Sequence, residues 1–304
     1  MSISVLVYII SLAAIWSFAA FFIKIAMQDV EPFSIAAIST GLAAIFLYLQ
    51  TKFNKVSLAP FRQKPTQFII MGCVGNALPF MLLCCSLQYV SSILVAIIYA
   101  TVPFSTAVIA HYMLPNERLT INKIIGILFG FSGILLLIIY NYQAATPAYF
   151  TIGVLQITIS VILYSGTMVY AKKHFSQFNP LASSSIQIIC SALFIIPIAI
   201  IIDWPIVHHH ITLNSWIAMS YLGIAGTGVA VTLYFKILSL SNASSLALVN
   251  YVLPLFKTLI GVMFLHEILH ISFIIACAMC CIGLYISEPI NFLTLSPNSK
   301  KNLS

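Results

Sequence analysis

Residues 65–116 read PTQFIIMGCVGNALPFMLLCCSLQYVSSILVAIIYATVPFSTAVIAHYMLPN, and none of them is Asp, Glu, Lys or Arg. Lys64 stands before the run and Glu117 after it. A helix that crosses a bilayer takes about 20 predominantly apolar residues. The run therefore holds two crossings, and Tyr89-Val90-Ser91 supplies the turn between them. In lipid, a backbone has no water to bond with, and a helix satisfies every N–H and C=O internally.

The pattern extends over the whole chain. Of 304 residues, 61% are hydrophobic and only 6% are charged, and mean hydropathy is +1.08. Soluble domains are about 25% charged. Thirteen Lys and Arg with six Asp and Glu cannot form the polar shell that a soluble core of this length needs. Charge-free stretches and turn residues predict ten helices over 4–24, 33–51, 67–87, 92–113, 121–140, 150–171, 181–202, 214–235, 244–265 and 269–287. The fold class is an all-α polytopic membrane protein.

The basic residues orient it. With the N-terminus cytoplasmic, the inner loops and tail hold Lys52, Lys55, Arg62, Lys64, Arg118, Lys123, Lys172, Lys173, Lys236, Lys300 and Lys301, and the outer side holds only Lys24. Both termini are expected in the cytoplasm of a cell-membrane protein (the inner membrane, if the cell is bacterial). The net charge of +7 is thus a matter of membrane orientation. No basic patch with interleaved aromatics points to nucleic acid. The seven cysteines all lie in apolar runs, where Cys is a small packing residue, and this includes Cys277-x-x-Cys280. His208-His209-His210 falls in an outer loop and reads as wetted surface rather than a metal site.

The two halves repeat. Trp16-Ser17, Lys24 and Pro32 match Tyr164-Ser165, Lys172 and Pro180 at an offset of 148. Gly72, Gly75 and Pro103 match Gly223, Gly226 and Pro254 at 151, and Glu117 and Gly133 match Glu267 and Gly283 at 150. A unit of five helices is implied. An odd number of crossings makes the second copy start on the opposite face, so the copies are inverted. Inverted repeats are common in secondary transporters, whose substrate sites lie near the midplane between them.

AHYMLPNERLTINKIIGILFGFSGILLL, residues 110–137, resembles the EamA family of the drug/metabolite transporter superfamily. The likeness rests on Pro103, the turn Glu117-Arg118-Leu119-Thr120, then Gly126 and Gly133, with Pro254, Leu265-His266-Glu267 and Gly283 as a weaker second copy and Trp16-Ser17 at the opening. The resemblance implies ten helices in two inverted five-helix repeats, 1–142 and 148–288, with a shared central cavity and a cytoplasmic tail at 289–304. The chain departs from the family at Ser39 and its mate Gln187, where an Arg is frequent in the second helix, and at Ile268, which follows Glu267 in place of Arg.

Lys257 is the sharpest anomaly, a cation midway along the ninth helix and three residues after Pro254. A charge there costs about 2.5–3.5 kcal/mol on insertion scales. Lys257 is expected to face the cavity, binding a carboxylate or phosphate or titrating during transport; snorkelling to an interface is the bland alternative. Its mate is Thr106, at an offset of 151. Pro79, Pro103, Pro197 and Pro254 each remove a backbone hydrogen bond. Pro103 and Pro254 correspond between the repeats and are the helix breaks expected at the site. Asn76, Tyr99, Gln187 and Asn250, with Trp16 and Tyr164 as aromatic walls, complete the substrate-binding set; interhelical bonding is the other use for such side chains. His111 is a proton relay or a satisfied interfacial histidine, and Glu117 and Glu267 are helix caps.

No phosphate-binding G-x-x-x-x-G-K-[ST] loop occurs, which excludes an ATP-driven pump within this chain. The expected function is a secondary active transporter, an exporter of a small metabolite such as an amino acid or related amphiphile, driven by a proton or counter-substrate gradient. It is not an enzyme and needs no cofactor or metal. Its partners are the small-molecule substrate, a coupling proton and the lipid bilayer. Oligomeric state stays open, because Gly126-x-x-x-Gly130 packs helices equally well within a chain or between chains. The alternatives are a membrane-embedded enzyme, for which His266 and His270 offer an i,i+4 pair, or a non-transporting scaffold.

Overall fold

Asn179-Pro180 illustrates how the sequence starts a membrane helix. The Asn179 carboxamide oxygen accepts from the N–H groups of Leu181 (2.9 Å) and Ala182 (3.3 Å), and Pro180 takes the first helical position, where no donor is needed. Pro32 likewise takes the first helical position 148 residues earlier, after an extended Glu31 that makes no side-chain cap. Ser91 caps the fourth span through Leu94 N–H, at 3.1 Å.

The computed structural model describes residues 3–114, 119–142, 147–203, 211–240, 249, 253, 256–257, 259–265 and 271–287. Among them, seven helices are long and apolar enough to cross a membrane: Val5–Ala26, Pro32–Phe53, Pro65–Ser86, Ser92–Met113, Ala148–Phe175, Pro180–Ile202 and Leu213–Leu240. They are spans one to four and six to eight. Ile121–Tyr142 and Ile271–Ser287 are spans five and ten, and helical residues 259–265 belong to span nine. The sixth span runs four residues beyond the expected 171. Lys172, Lys173 and His174 end it, because cations suit the negative end of a helix.

In lipid, burial of apolar surface does not drive helices together, so close packing and polar contacts between them must. The repeat is visible in that packing. A Cβ on Gly72 would lie 2.6 Å from Cys190 Cβ and 2.8 Å from Gln187 O; one on Gly223 would lie 2.9 Å from Leu42 Cβ and 2.6 Å from Ser39 O. Gly72 and Gly223 are mates, and so are Gln187 and Ser39, and Cys190 and Leu42. Span three therefore touches span seven as span eight touches span two. The fifth and tenth spans repeat the device, with Gly133 against Ala276 O and Gly283 against Gly126 O. Around this frame, Leu128, Leu193 and Ile201 point outward, forming the apolar surface that a lipid-facing helix requires.

Polar contacts tie the repeats at both membrane faces. On the face expected to be outer, Asp29 Oδ2, past the end of span one, accepts from Thr212 N (3.0 Å), Thr212 Oγ1 (2.5 Å) and Ser215 Oγ (2.6 Å) at the start of span eight. Asp203 Oδ2, past the end of span seven, accepts from Ser34 N (2.8 Å) and Ser34 Oγ (2.9 Å) in the first turn of span two. Each carboxylate caps a helix of the other repeat. On the opposite face, Lys64 Nζ donates to His174 O at 3.0 Å. Spans one and eight, two and seven, and three and six are thus antiparallel neighbours.

Candidate functional site

Two widened helical turns mark the centre. Cys73–Ala77 in span three and Tyr221–Val229 in span eight are π-helical, and the glycine pairs of the repeat lie in or beside them. Such turns disturb the backbone hydrogen-bond ladder and concentrate at functional sites. The indole N–H of Trp16 donates to Gly226 O, 3.1 Å away in the second turn. In the first, Asn76 Nδ2 donates to Ser191 Oγ at 2.8 Å.

Between them lies a cavity of about 140 Å³, space for on the order of ten waters. Its wall follows the repeat: Trp16 and Tyr164, Met71 and Leu222, Gly75 and Gly226, and Asn76 and Thr227 are lining residues and mates. The cavity straddles the pseudo-twofold relation between the halves, drawing on spans one, three, four, six, seven, eight and nine.

Six of the seven expected binding residues stand in this wall: Trp16, Asn76, Tyr99, Tyr164, Gln187 and Lys257. The seventh, Asn250, lies outside the described residues, as do Pro254, Glu117, Glu267, His208–His210, His266 and His270. Pro103 is not part of the wall. Span four breaks at Ala100–Thr101, and Pro103 opens the helix that resumes at Val102; it is Tyr99, before the break, that reaches the cavity. His111 Nδ1 accepts from Leu119 N–H at 3.3 Å on an exposed turn, the satisfied interfacial role.

Lys257 is only 8% exposed. Its Nζ sits 4.7 Å from the centroid of the Tyr99 ring. The ring is held by a relay in which Tyr99 O–H pairs with Ser160 Oγ at 3.0 Å, and Ser160 donates to Pro79 O at 2.8 Å. Trp16 meets Tyr164 edge-on at 6.0 Å, and Tyr99 lies 6.3 Å from Tyr164. Gln187 Nε2 donates to Met71 O at 3.3 Å. Among the described residues, no carboxylate faces Lys257. A cation–π contact returns about 0.5–2 kcal/mol, while an unpaired cation at mid-membrane costs about 2.5–3.5 kcal/mol or more. The ring alone does not balance the ammonium. Thr106, the mate of Lys257, instead bonds Met168 Sδ at 3.9 Å, so the repeats differ where the charge sits.

The sequence reading missed Ser160, Thr227 and the backbone of Gly226. Ser160 is one serine among many in the spans, and its partners are 61 and 81 residues away. Paired glycines at 72/75 and 223/226 were the one signal for the widened turns.

A family profile described as the EamA-like transporter family matches residues 3–139 and again residues 151–287. The chain belongs to the EamA-like transporter family. It is a multi-pass membrane transporter built from two such units, and not an enzyme. It is similar to the "Uncharacterized transporter YoaV" of Bacillus subtilis, 21% identical over 285 residues, covering 94% of this chain and 97% of that protein. Protein PagO of Salmonella typhimurium is 24% identical over 256 residues, with 84% of this chain and 82% of that protein covered. A solved crystal structure superposes with a TM-score of 0.72 at 18% identity, over 94% of this chain and 97% of the other. That likeness establishes a shared fold.

Proposed function

We propose that the chain is a secondary transporter moving a small amphiphilic metabolite that bears a carboxylate, such as an amino acid or a relative of one. The site is the central cavity, with Trp16, Asn76, Tyr99, Tyr164, Gln187 and Lys257 of its wall as substrate contacts and Asn250 added to them on the sequence pattern alone. The halves 1–142 and 148–288 rock about it, exposing it to each side in turn. Both termini and the tail 289–304 are cytoplasmic, with the charge distribution of the loops as support. A proton or counter-substrate gradient supplies the energy, and a metabolite accumulated inside gives net export.

One observation carries this reading: Lys257 stands in the cavity wall against a fixed aromatic ring, with no acidic partner among the described residues. An ammonium so placed is completed by an anion that arrives with the substrate. The test is a thermal-stabilisation screen of purified protein against amino acids and small carboxylates, since a ligand of the folded state raises its apparent stability. Hits are then followed by flux into proteoliposomes. Saturable flux and stabilisation are expected in the wild type, and both should be lost in Lys257→Met. Equal stabilisation and flux in that variant would remove Lys257 from substrate binding.

A further inference from the structure

We propose that Lys257 carries a substrate anion and a proton across the membrane on one side chain, so that the substrate is a net monoanion and transport is an electroneutral one-to-one cotransport. This rests on the cavity being the substrate site, and it narrows the proposed substrates from amino acids and their relatives to those relatives that lack the ammonium.

Charge arithmetic inside the cavity is the starting point. The side chains with N–H or O–H groups that share the cavity wall with Lys257 are Trp16 of span one, Asn76 of span three, Tyr99 of span four, Tyr164 and Thr167 of span six, Gln187 of span seven, and Thr227 and Tyr234 of span eight. Cys84 lies buried in span three. All are neutral side chains at neutral pH. The chain has six acidic residues, Asp29, Glu31, Glu117, Asp203, Glu267 and Glu288, and in the sequence all six fall at or beyond the ends of spans. Asp29 and Asp203 are already engaged as caps at one membrane face. Among the described residues, the protein places no counter-ion in the cavity wall.

Alternating access passes through a state in which the cavity is closed to both sides. An ammonium closed off without an anion is disfavoured there, and such a group pairs or gives up its proton. Two forms of Lys257 cross readily: the ammonium with a bound carboxylate, and the free amine. On the loading side the ammonium takes the carboxylate. On the far side the carboxylate leaves to water, and then Nζ releases its proton to water. The amine returns empty and takes a proton from water on the loading side. Each cycle moves one anion and one proton in the same direction, with no net charge. Direction follows the sum of the two gradients: a metabolite gradient that outweighs the proton gradient drives export of both, and an acidic exterior drives uptake.

The same arithmetic selects the substrate. A zwitterionic amino acid brings its own ammonium into a wall that holds one cation and no anion. That second cation shares the aromatic wall with Lys257 and repels it. A carboxylate whose remaining body is neutral and apolar fits both the charge and the rings.

The test uses the full-length protein in proteoliposomes, with protein-free liposomes as control. The probes are labelled α-ketoisocaproate and L-leucine, which share a carbon skeleton and differ in bearing a ketone or an ammonium. Protein-dependent uptake of α-ketoisocaproate is expected, accelerated by an acidic exterior and unchanged by a potassium–valinomycin potential, with leucine taken up about tenfold less or worse. Lys257→Arg keeps the charge but cannot shed its proton, so it should retain α-ketoisocaproate exchange and lose net flux by about tenfold or more. Lys257→Met should lose both. Leucine uptake matching that of the keto acid, flux that follows the potential, or unimpaired net flux in Lys257→Arg would each overturn the proposal. If other solutes stabilise the protein through Lys257 while neither probe does, the monoanion assignment falls and the carrier reading stands. If no solute depends on Lys257, both fall. A monodisperse gel-filtration profile for each variant separates lost chemistry from lost folding.

Discussion

Adding a single methyl group at selected glycines tests the inverted frame directly. In Gly72→Ala the new Cβ would sit 2.6 Å from Cys190 Cβ and 2.8 Å from Gln187 O, and in Gly223→Ala 2.6 Å from Ser39 O. Carbon atoms in contact prefer about 3.5–4.0 Å, so spans three and seven, or eight and two, must part by roughly an ångström. Two backbone-bearing helices cannot yield as a flexible side chain does. Overpacking of this kind costs about 1–3 kcal/mol. The same substitution at Gly41, where the nearest atom is 3.7 Å away, or at Gly166, where it is 3.9 Å away, meets ordinary contact. There Ala removes the excess backbone freedom of Gly and should stabilise by about 0.4–1 kcal/mol. Thermal unfolding of the purified variants in detergent is the assay. Gly72→Ala and Gly223→Ala should melt several degrees below wild type and by similar amounts, because they are equivalent contacts, while Gly41→Ala and Gly166→Ala should melt at or above it. Four variants with indistinguishable melting points, or a loss at only one of the two mates, would refute the paired close approach and the symmetric frame with it.

Three further outcomes follow from the contacts at the span ends and the cavity wall. Asp203→Ala removes the acceptor for Ser34 N and Oγ and should destabilise by about 0.5–2 kcal/mol, the usual loss for a helix cap, read as a lower melting temperature. The Asp29 carboxyl is held below the ordinary carboxylate range, first by Ser215 Oγ, then by the Thr212 side chain and backbone. A depressed acid contributes stability above its unfolded pKa and loses it as pH falls through the folded one. The melting-point gap between wild type and Asp29→Asn should therefore be open at neutral pH and close below about pH 4; a gap that widens on acidification would contradict the contact. Trp16→Phe keeps the ring but leaves Gly226 O without its indole donor, which should cost about 1–3 kcal/mol and weaken ligand stabilisation in the same thermal assay.

Much of this molecule was legible because lipid makes polarity conspicuous. Lys257, Asn76, Gln187, Tyr99, Trp16 and Tyr164 stand out against apolar runs, and a polar group that must be satisfied tends to be gathered where other polar groups are. The structure brings these six to one wall. Start signals were equally plain at Asn179-Pro180 and Glu31-Pro32, since they depend on neighbours in sequence. The relay from Tyr99 through Ser160 to Pro79 O was not legible. A serine in a helix usually bonds its own preceding turn, as Ser17 does to Ala13 O at 2.6 Å, and nothing local distinguishes one that reaches another span. The capping roles of Asp29 and Asp203 were not legible for the same reason, because the helix ends they cap are 183 and 169 residues away. Pro103 misled in a useful direction: the break is real, but a proline favours the start of a helix, so the open turn and the side chain aimed inward lie ahead of it.

The residues that matter most are those where the two halves disagree. A perfectly symmetric pair of inverted repeats has no preferred side, since exchanging the conformations of the halves turns an inward-facing cavity into an outward-facing one. The close contacts Gly72–Gln187 and Gly223–Ser39 obey that equivalence, and they supply the frame that rocks. Bias has to enter through broken equivalence. Asp29 and Asp203 correspond to Gln177 and Lys55, so among the described residues carboxylate caps bind the repeats together at one face. Lys257 corresponds to Thr106, so among the described residues the charge in the cavity wall belongs to one repeat, and under the proposed mechanism it would change sides with that repeat. Introducing the missing partners should therefore shift the conformational balance without touching the cavity. The neighbouring Phe178 ring lies 5.5 Å from Lys64 Nζ at the start of span three, so the carboxylate of Gln177→Asp should act on that helix end, and cysteine labelling of cavity positions from the two sides should move toward the outer face. Labelling that stays unchanged would mean that the carboxylate caps stabilise the fold but do not set which side is closed.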